Sequence, residues 1–543
     1  MVFHVAKIWP QHFLGAADHN PKELMSIMQS LKQLLLIGPD SKMALISPLV
    51  VITFVSFTVI DPIFAGELFA SAKNFISVQF GAYYIFLMTF LLLLTIFLCL
   101  SPASKIKLGK DNEAPEFTLF QWFSMLFGAG IGIGILFWSI AEPLTHIQGN
   151  PFLVESVGIT KESAQIAMRL SIFHWGLHGW AIYAMMGMSL AYFSFRQGLP
   201  LSIRSTLFSV FGDKIYGPLG FVADLLAVIG TVFGIATSLG LGAQQINAGL
   251  NYLVDLDISI TIQILMIAVI STIATISALT GVNRGIRILS VLNMRLTLLI
   301  LSGFFLLGPT TYLLNSIYTN AVDYMINLPS LSIWIDPDRE SKWQGWWTIF
   351  YWGWWIAWAP FCGMFIARIS RGRTIREFIV GVLLAPTILA VVWITIFGNT
   401  AIYLELYGNG GVLEAVNLDR TTALFKTIEL MGYGNVITST MAIICVILLV
   451  TYFVTSADSA TLVICTLVSM GNVNPERRFQ IFWGLAIGAV AAALLFAGGL
   501  EALQTASIAA ALPFSIVVIL ACISLCRSLF HEGLNAKDTT SNL

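Results

Sequence analysis

The amino-acid sequence predicts an all-α integral membrane protein with twelve transmembrane helices, on three observations. The chain is 57% hydrophobic and 10% charged, with a mean hydropathy of +0.84, against about 25% charged residues in a soluble domain. Apolar windows of about 20 residues, enough to cross a bilayer as a helix, recur along its length. Lysine and arginine gather in alternate connecting segments, the charge asymmetry that sets the orientation of a polytopic protein.

Taken in order, residues 1–42 are polar and mixed, with no short apolar core followed by a small-residue cleavage site. No removable signal peptide is expected, and the first span serves as its own signal. The windows fall at 43–60, 81–101, 119–140, 171–193, 218–243, 258–280, 292–315, 346–367, 379–402, 436–468, 480–499 and 506–526. With the N-terminus in the cytoplasm, 21 of the 28 lysines and arginines lie on the cytoplasmic side, so both termini are predicted to be cytoplasmic. The stretch 281–290, GVNRGIRILS, pairs Arg284 and Arg287 with apolar neighbours and is too short to span, so a surface helix is expected. Residues 316–345 form a polar extracytoplasmic loop and 527–543 a short cytoplasmic tail, with no soluble domain attached. A net charge of −1 without charge blocks excludes nucleic acid as a partner. The six cysteines all lie within or at the ends of spans, so neither a disulfide framework nor a zinc pattern is present.

Four stretches carry chemistry. The third span holds Gly128, Gly130, Gly132 and Gly134 at every second position. Two readings fit: small-xxx-small helix packing, and a broken helix whose freed amides and carbonyls meet a ligand near the bilayer centre. The fourth span carries His174, Trp175, His178, Trp180 and Tyr183. Its aromatics suit an interfacial belt or one wall of a cage. His174 and His178 are four apart and able to chelate a metal, but no carboxylate or cysteine accompanies them in the span, so hydrogen-bonded structural histidines are expected.

The third stretch, residues 343–358, reads WQGWWTIFYWGWWIAW and holds seven of the chain's 15 tryptophans. Indole faces hold organic cations well, quaternary ammonium groups above all. Trp343, Trp346 and Trp347 fit an outer belt, and Trp354, Trp355 and Trp358 fall deeper. In the tenth span, Thr455, Ser456 and Asp458 offer hard oxygen ligands for a small cation, although such hydroxyls more often bond the preceding turn. A carboxylate in a span is a functional candidate. Asp458 and Asp224 each suit either a functional role or a structural pair, with Asp224 favouring the structural one because it lies near a helix end.

The stretches GAGIGIGILFWSIAEPL (128–144), FHWGLHGWAIY (173–183), FYWGWWIAWAPFCGMFIARISRGRTIREF (350–378) and TYFVTSADSA (451–460) together resemble the betaine/choline/carnitine transporter family. The resemblance runs from about residue 40 to 527. It implies a LeuT-like fold: two N-terminal helices with their loop in 43–118, then two five-helix inverted repeats in 119–315 and 346–526. It also implies a homotrimer in the bacterial cytoplasmic membrane, in contact with lipid, and a secondary transporter rather than an enzyme. The implied cargo is a small trimethylammonium or related onium compound, held by Trp175, Trp180, Tyr183 and Trp355. Trp354 and Trp358 complete the tryptophan box beside Gly130, Gly132 and Gly134, with Phe350 and Arg368 as gating residues.

No cofactor is expected, and sodium is implied as the coupling ion. Its first site resembles one built from Gly128, Ile131, Tyr452, Thr455 and Ser456, and a second from Thr231, Ser238 and Phe361. Ile235 stands in that second site where the family places a hydroxyl, which puts the stoichiometry in question. Choline carriers of the family resemble one another in having an acidic residue where this chain has Gly134, so a zwitterion, glycine betaine first, is the expected substrate. The alternative is a proton-coupled or exchange carrier of choline, carnitine or dimethylsulfoniopropionate, with Asp458 as the titrating group.

Overall fold

A computed structural model describes residues 41–130, 132–153, 158–280, 287–338, 342–472 and 474–541. Among them every regular element is a helix, and one isolated bridge pairs Lys107 with Thr374. Nine of these helices are long and apolar enough to cross a membrane. The predicted second span is the C-terminal half of a 39-residue helix, Pro62–Leu100, which Pro62 and the Asp61 carboxylate start, the latter accepting from the Phe64 amide at 3.1 Å. At about 1.5 Å per residue it reaches about 58 Å, well beyond a hydrocarbon core of about 30 Å.

The predicted third and fourth spans are each broken. Leu119–Gly130 and Ile133–Gln148 meet at Gly132, whose backbone is extended (φ −155°, ψ −166°). Lys161–Trp175 and Leu177–Ala191 meet at Gly176. The free groups of that second break are met from elsewhere: the Leu177 amide donates to the Tyr324 hydroxyl at 3.0 Å, and the Trp355 indole donates to the His174 carbonyl at 2.9 Å. The last two predicted spans appear as one helical stretch, Arg477–Ser541, kinked at Gly498 and Gly499, the latter left-handed (φ 58°).

The seventh window, 292–315, does not end as expected. Its helix, Arg287–Leu307, stops before Gly308 and Pro309, and a further helix, Thr310–Ile333, fills much of the stretch read as a loop. Thr319, Asn327, Ser330 and Ser332 bond within this helix, whereas other polar side chains reach neighbouring helices. Asn320 reaches Thr395 and Asn399, and Asp323 takes a two-bond fork from Arg169 at 2.6 and 2.8 Å. The first six residues of the predicted surface helix, 281–286, lie outside the described residues.

Four segments predicted to share one side of the membrane meet on one face. Leu108 and Arg373 join by a backbone hydrogen bond of 2.8 Å, and Arg196 bridges Asp111 and Glu532. At that face the Arg371 guanidinium beside Glu113 holds its carboxyl below the usual carboxylate range.

Candidate functional site

The tryptophan-rich helix, Thr348–Ile369, lies against three others, and each indole of its inner half fits where a neighbouring helix has no side chain. A Cβ on Gly134 would stand 2.5 Å from the Trp354 ring, one on Gly179 2.9 Å from Trp355, and one on Gly234 2.5 Å from Trp358. Glycine is required at these positions by close approach. Two of the indoles are also tethered through their N–H: Trp354 to the Gly234 carbonyl at 3.2 Å, and Trp355 to that of His174.

The result is a box of rings from three helices. Trp355 stands nearly perpendicular to Trp175 (5.0 Å, 79°) and to Tyr183 (5.9 Å, 85°), Tyr183 is perpendicular to Trp180 (5.5 Å, 82°), and Trp354 stacks on Trp355 (5.5 Å, 7°). These rings border a cavity that also touches Gly132, Gly134, Ser238 and Ser456. Among its described lining residues none is charged. Such a cavity suits a ligand with no net charge and a cationic head to face indole.

Gly132 and Gly134 thus belong to the wall at the broken helix, and Gly130 ends the helix before the break. Phe350 is fully buried, stacked on Trp354 at 5.4 Å. Arg368 is exposed in the last turn of the tryptophan helix, away from the box.

Of the residues expected around an ion, Gly128 lies within the helix Leu119–Gly130, and Ile131 is outside the described residues. The Thr455 hydroxyl bonds the Thr451 carbonyl at 3.0 Å and that of Tyr452 at 3.2 Å, and accepts from Asn293 at 2.9 Å. Ser456 faces the cavity. The hydroxyls of Thr231 and Ser238 are buried without a hydrogen-bond partner among the described residues. Phe361 packs edge-on against Trp358 at 5.4 Å.

Neither span aspartate reaches the cavity. Asp224 is fully buried in a pair with Arg204, with two further bonds from Ser202 at 2.8 Å each. Asp458 accepts from Ser277 at 2.9 Å and from Ser459 at 3.2 Å.

Two findings were not anticipated from the sequence. Trp347 is buried against His146 (4.5 Å) and Trp138 (5.3 Å), so it packs inside the protein rather than in a belt, and the half-buried Trp346 lies under the Lys73 ammonium at 3.0 Å. A fully buried Glu142 accepts from Tyr351 at 2.5 Å and from the Trp175 indole at 3.2 Å, and faces His174 Nδ1 at 2.6 Å. Glu142 falls two residues beyond the predicted window 119–140, and only the length of the helix Ile133–Gln148 brings it inside the protein. His178, by contrast, stacks on Trp352 at 5.2 Å, and its ring nitrogens have no hydrogen-bond partner among the described residues.

Comparison with known proteins agrees with this geometry. The betaine/carnitine/choline family transporter profile matches residues 42–534. The glycine betaine transporter OpuD of Bacillus subtilis is 43% identical over 484 residues, covering 88% of this chain and 92% of that protein. A probable glycine betaine transporter of Desulfitobacterium hafniense is 40% identical over 487 residues, covering 89% of this chain and 96% of its own. An osmo-dependent choline transporter of Acinetobacter baylyi is 40% identical over 502 residues, or 92% and 72%. This chain is therefore a membrane transporter and not an enzyme, and it belongs to the betaine/carnitine/choline transporter family.

Proposed function

We propose that the protein is a sodium-coupled symporter of a quaternary-ammonium zwitterion, glycine betaine first, working by alternating access across the bacterial cytoplasmic membrane. The observation that carries this reading is an aromatic box in a cavity whose described lining has no charge. Indole and phenol faces attract the onium head, and the break at Gly132 offers backbone amides to the carboxylate at the start of Ile133–Gln148. Choline brings a net positive charge and no carboxylate, so this cavity suits it less well. Phe350 gates the outer side of the box through its stack on Trp354, and Arg368 acts at the cytoplasmic side.

The coupling claim draws support from the buried hydroxyls of Thr231 and Ser238, hard oxygen ligands with no hydrogen-bond partner among the described residues. Proton coupling through Asp458 is disfavoured by that residue's distance from the cavity lining and its bonds to two serines. Counting each broken pair as one span, and dividing Arg477–Ser541 at its kink, supports the twelve-span, inverted-repeat architecture. Both termini are taken as cytoplasmic and the assembly as a homotrimer.

The test is uptake of labelled glycine betaine into vesicles reconstituted with the purified protein, with and without an inward sodium gradient. Sodium-dependent accumulation is expected. Equal rates in both would refute the coupling, and no uptake in either would refute the substrate.

A further inference from the structure

We propose that Glu142, His146 and His174 form a binding site for a single transition-metal dication of zinc's class, and that an ion held there slows transport. One ligand atom from each lies within 4.8 Å of the others, and all three residues are fully buried. Glu142 Oε1 stands 2.6 Å from His174 Nδ1 and 3.4 Å from His146 Nε2. A tetrahedral zinc with nitrogen and oxygen ligands at about 2.0–2.1 Å spaces them about 3.3–3.5 Å apart. The His146 separation already meets this, and His174 has to withdraw by less than ~1 Å.

Three features mark the cluster as built for a cation. Among the described residues His146 Nδ1 has no hydrogen-bond partner, and Nε2 meets only the Glu142 carboxylate at 3.4 Å without forming a well-aligned hydrogen bond, an arrangement that a metal ligand resolves. The supporting groups are in place: Glu142 Oε2 is occupied by Tyr351 and Trp175, which leaves Oε1 for the metal, and His174 Nε2 lies 3.0 Å from the Thr348 hydroxyl. With Nδ1 on the metal, Nε2–H donates to Thr348, the usual outer partner of a ligating imidazole. Finally, no lysine or arginine comes within 4.0 Å of Glu142 among the described residues, so its buried charge lacks a fixed counter-ion. Two imidazoles and a carboxylate with a fourth position open suit zinc and its neighbours, not the all-oxygen preference of magnesium or calcium.

An ion here would tie Ile133–Gln148 to Lys161–Trp175, two half-helices bordering the cavity, and would fix the carboxylate from which Trp175 hangs. The movement needed for alternating access is then resisted.

The test uses the purified full-length protein. Co²⁺ titration should give the visible absorption of tetrahedral cobalt, reversed by Zn²⁺, and a chromophoric chelator should report one zinc per chain. Losing a supporting partner costs about 10–100-fold in metal affinity, so Thr348→Val should weaken zinc by about tenfold and His146→Ala, a lost ligand, by about 100-fold or more. Equal binding by wild type and His146→Ala, or no cobalt spectrum from wild type, overturns the site. In proteoliposomes zinc should slow wild-type uptake and leave His146→Ala uptake unchanged. Stoichiometric zinc with unaltered wild-type uptake overturns the clamp. The binding arm needs no substrate, so it stands apart from the transport assignment.

Discussion

Replacing Trp355 separates the two things its indole does. The ring is 9% exposed, packed between Trp175 and Tyr183, so an ammonium against its face would be largely desolvated. That contact is worth about 1–2 kcal/mol, and the N–H bond to the His174 carbonyl about 1 kcal/mol net. Trp355→Phe keeps an aromatic face and loses the hydrogen bond, so its affinity should fall about fivefold. Trp355→Leu loses both and should fall a further 5–30-fold, roughly. The assay is equilibrium binding of glycine betaine to purified protein by tryptophan fluorescence or calorimetry, with thermal unfolding as a folding control. Equal affinities for the Phe and Leu variants would mean that no cation sits on this ring and would refute the box.

Gly179→Ala should raise the half-saturation concentration of uptake several-fold at normal expression, because its Cβ would press within 2.9 Å of the Trp355 indole; unchanged kinetics would show that the ring does not need this seat. Ser238→Ala should raise the sodium concentration for half-maximal uptake more than that for substrate, and an unaltered sodium curve counts against the second ion site. Asp458→Asn, which still accepts from Ser277, should leave the pH profile of uptake as in wild type; a flattened profile would favour proton coupling. Asp224→Ala breaks the fully buried Arg204–Asp224 pair and should destabilise the fold by about 3–5 kcal/mol, seen as a lower unfolding temperature in detergent.

The aromatic site was legible in the sequence because its residues violate the composition of an ordinary span: tryptophans too dense for a belt, and glycines where helices avoid them. The grouping of Trp175, Trp180, Tyr183 and Trp355 comes from the family resemblance, and the break at Gly132 decides between two readings that the glycines left open. The helix Thr310–Ile333 was not legible, because polar side chains on it are satisfied by partners far away in sequence, as Asn320 is by Asn399. The same distance hid the cluster around Glu142. His146 and His174 lie on separate half-helices, and no local spacing brings their rings to 5.9 Å. Trp347 was misread because a belt and a buried layer share one composition, and only the placement of His146 tells them apart.

The three glycine seats have one more consequence, for register. Gly134, Gly179 and Gly234 belong to three different helices, and each opposes a different indole of one helix with no side chain between to take up slack. Together they act as a three-point key that accepts the tryptophan helix at one rotation and one height. Inserting a single residue ahead of Trp354 would turn that helix by about 100° and advance it by about 1.5 Å, lifting all three rings from their seats at once. The cavity should therefore tolerate exchange of one ring far better than any slip of the helix that carries it.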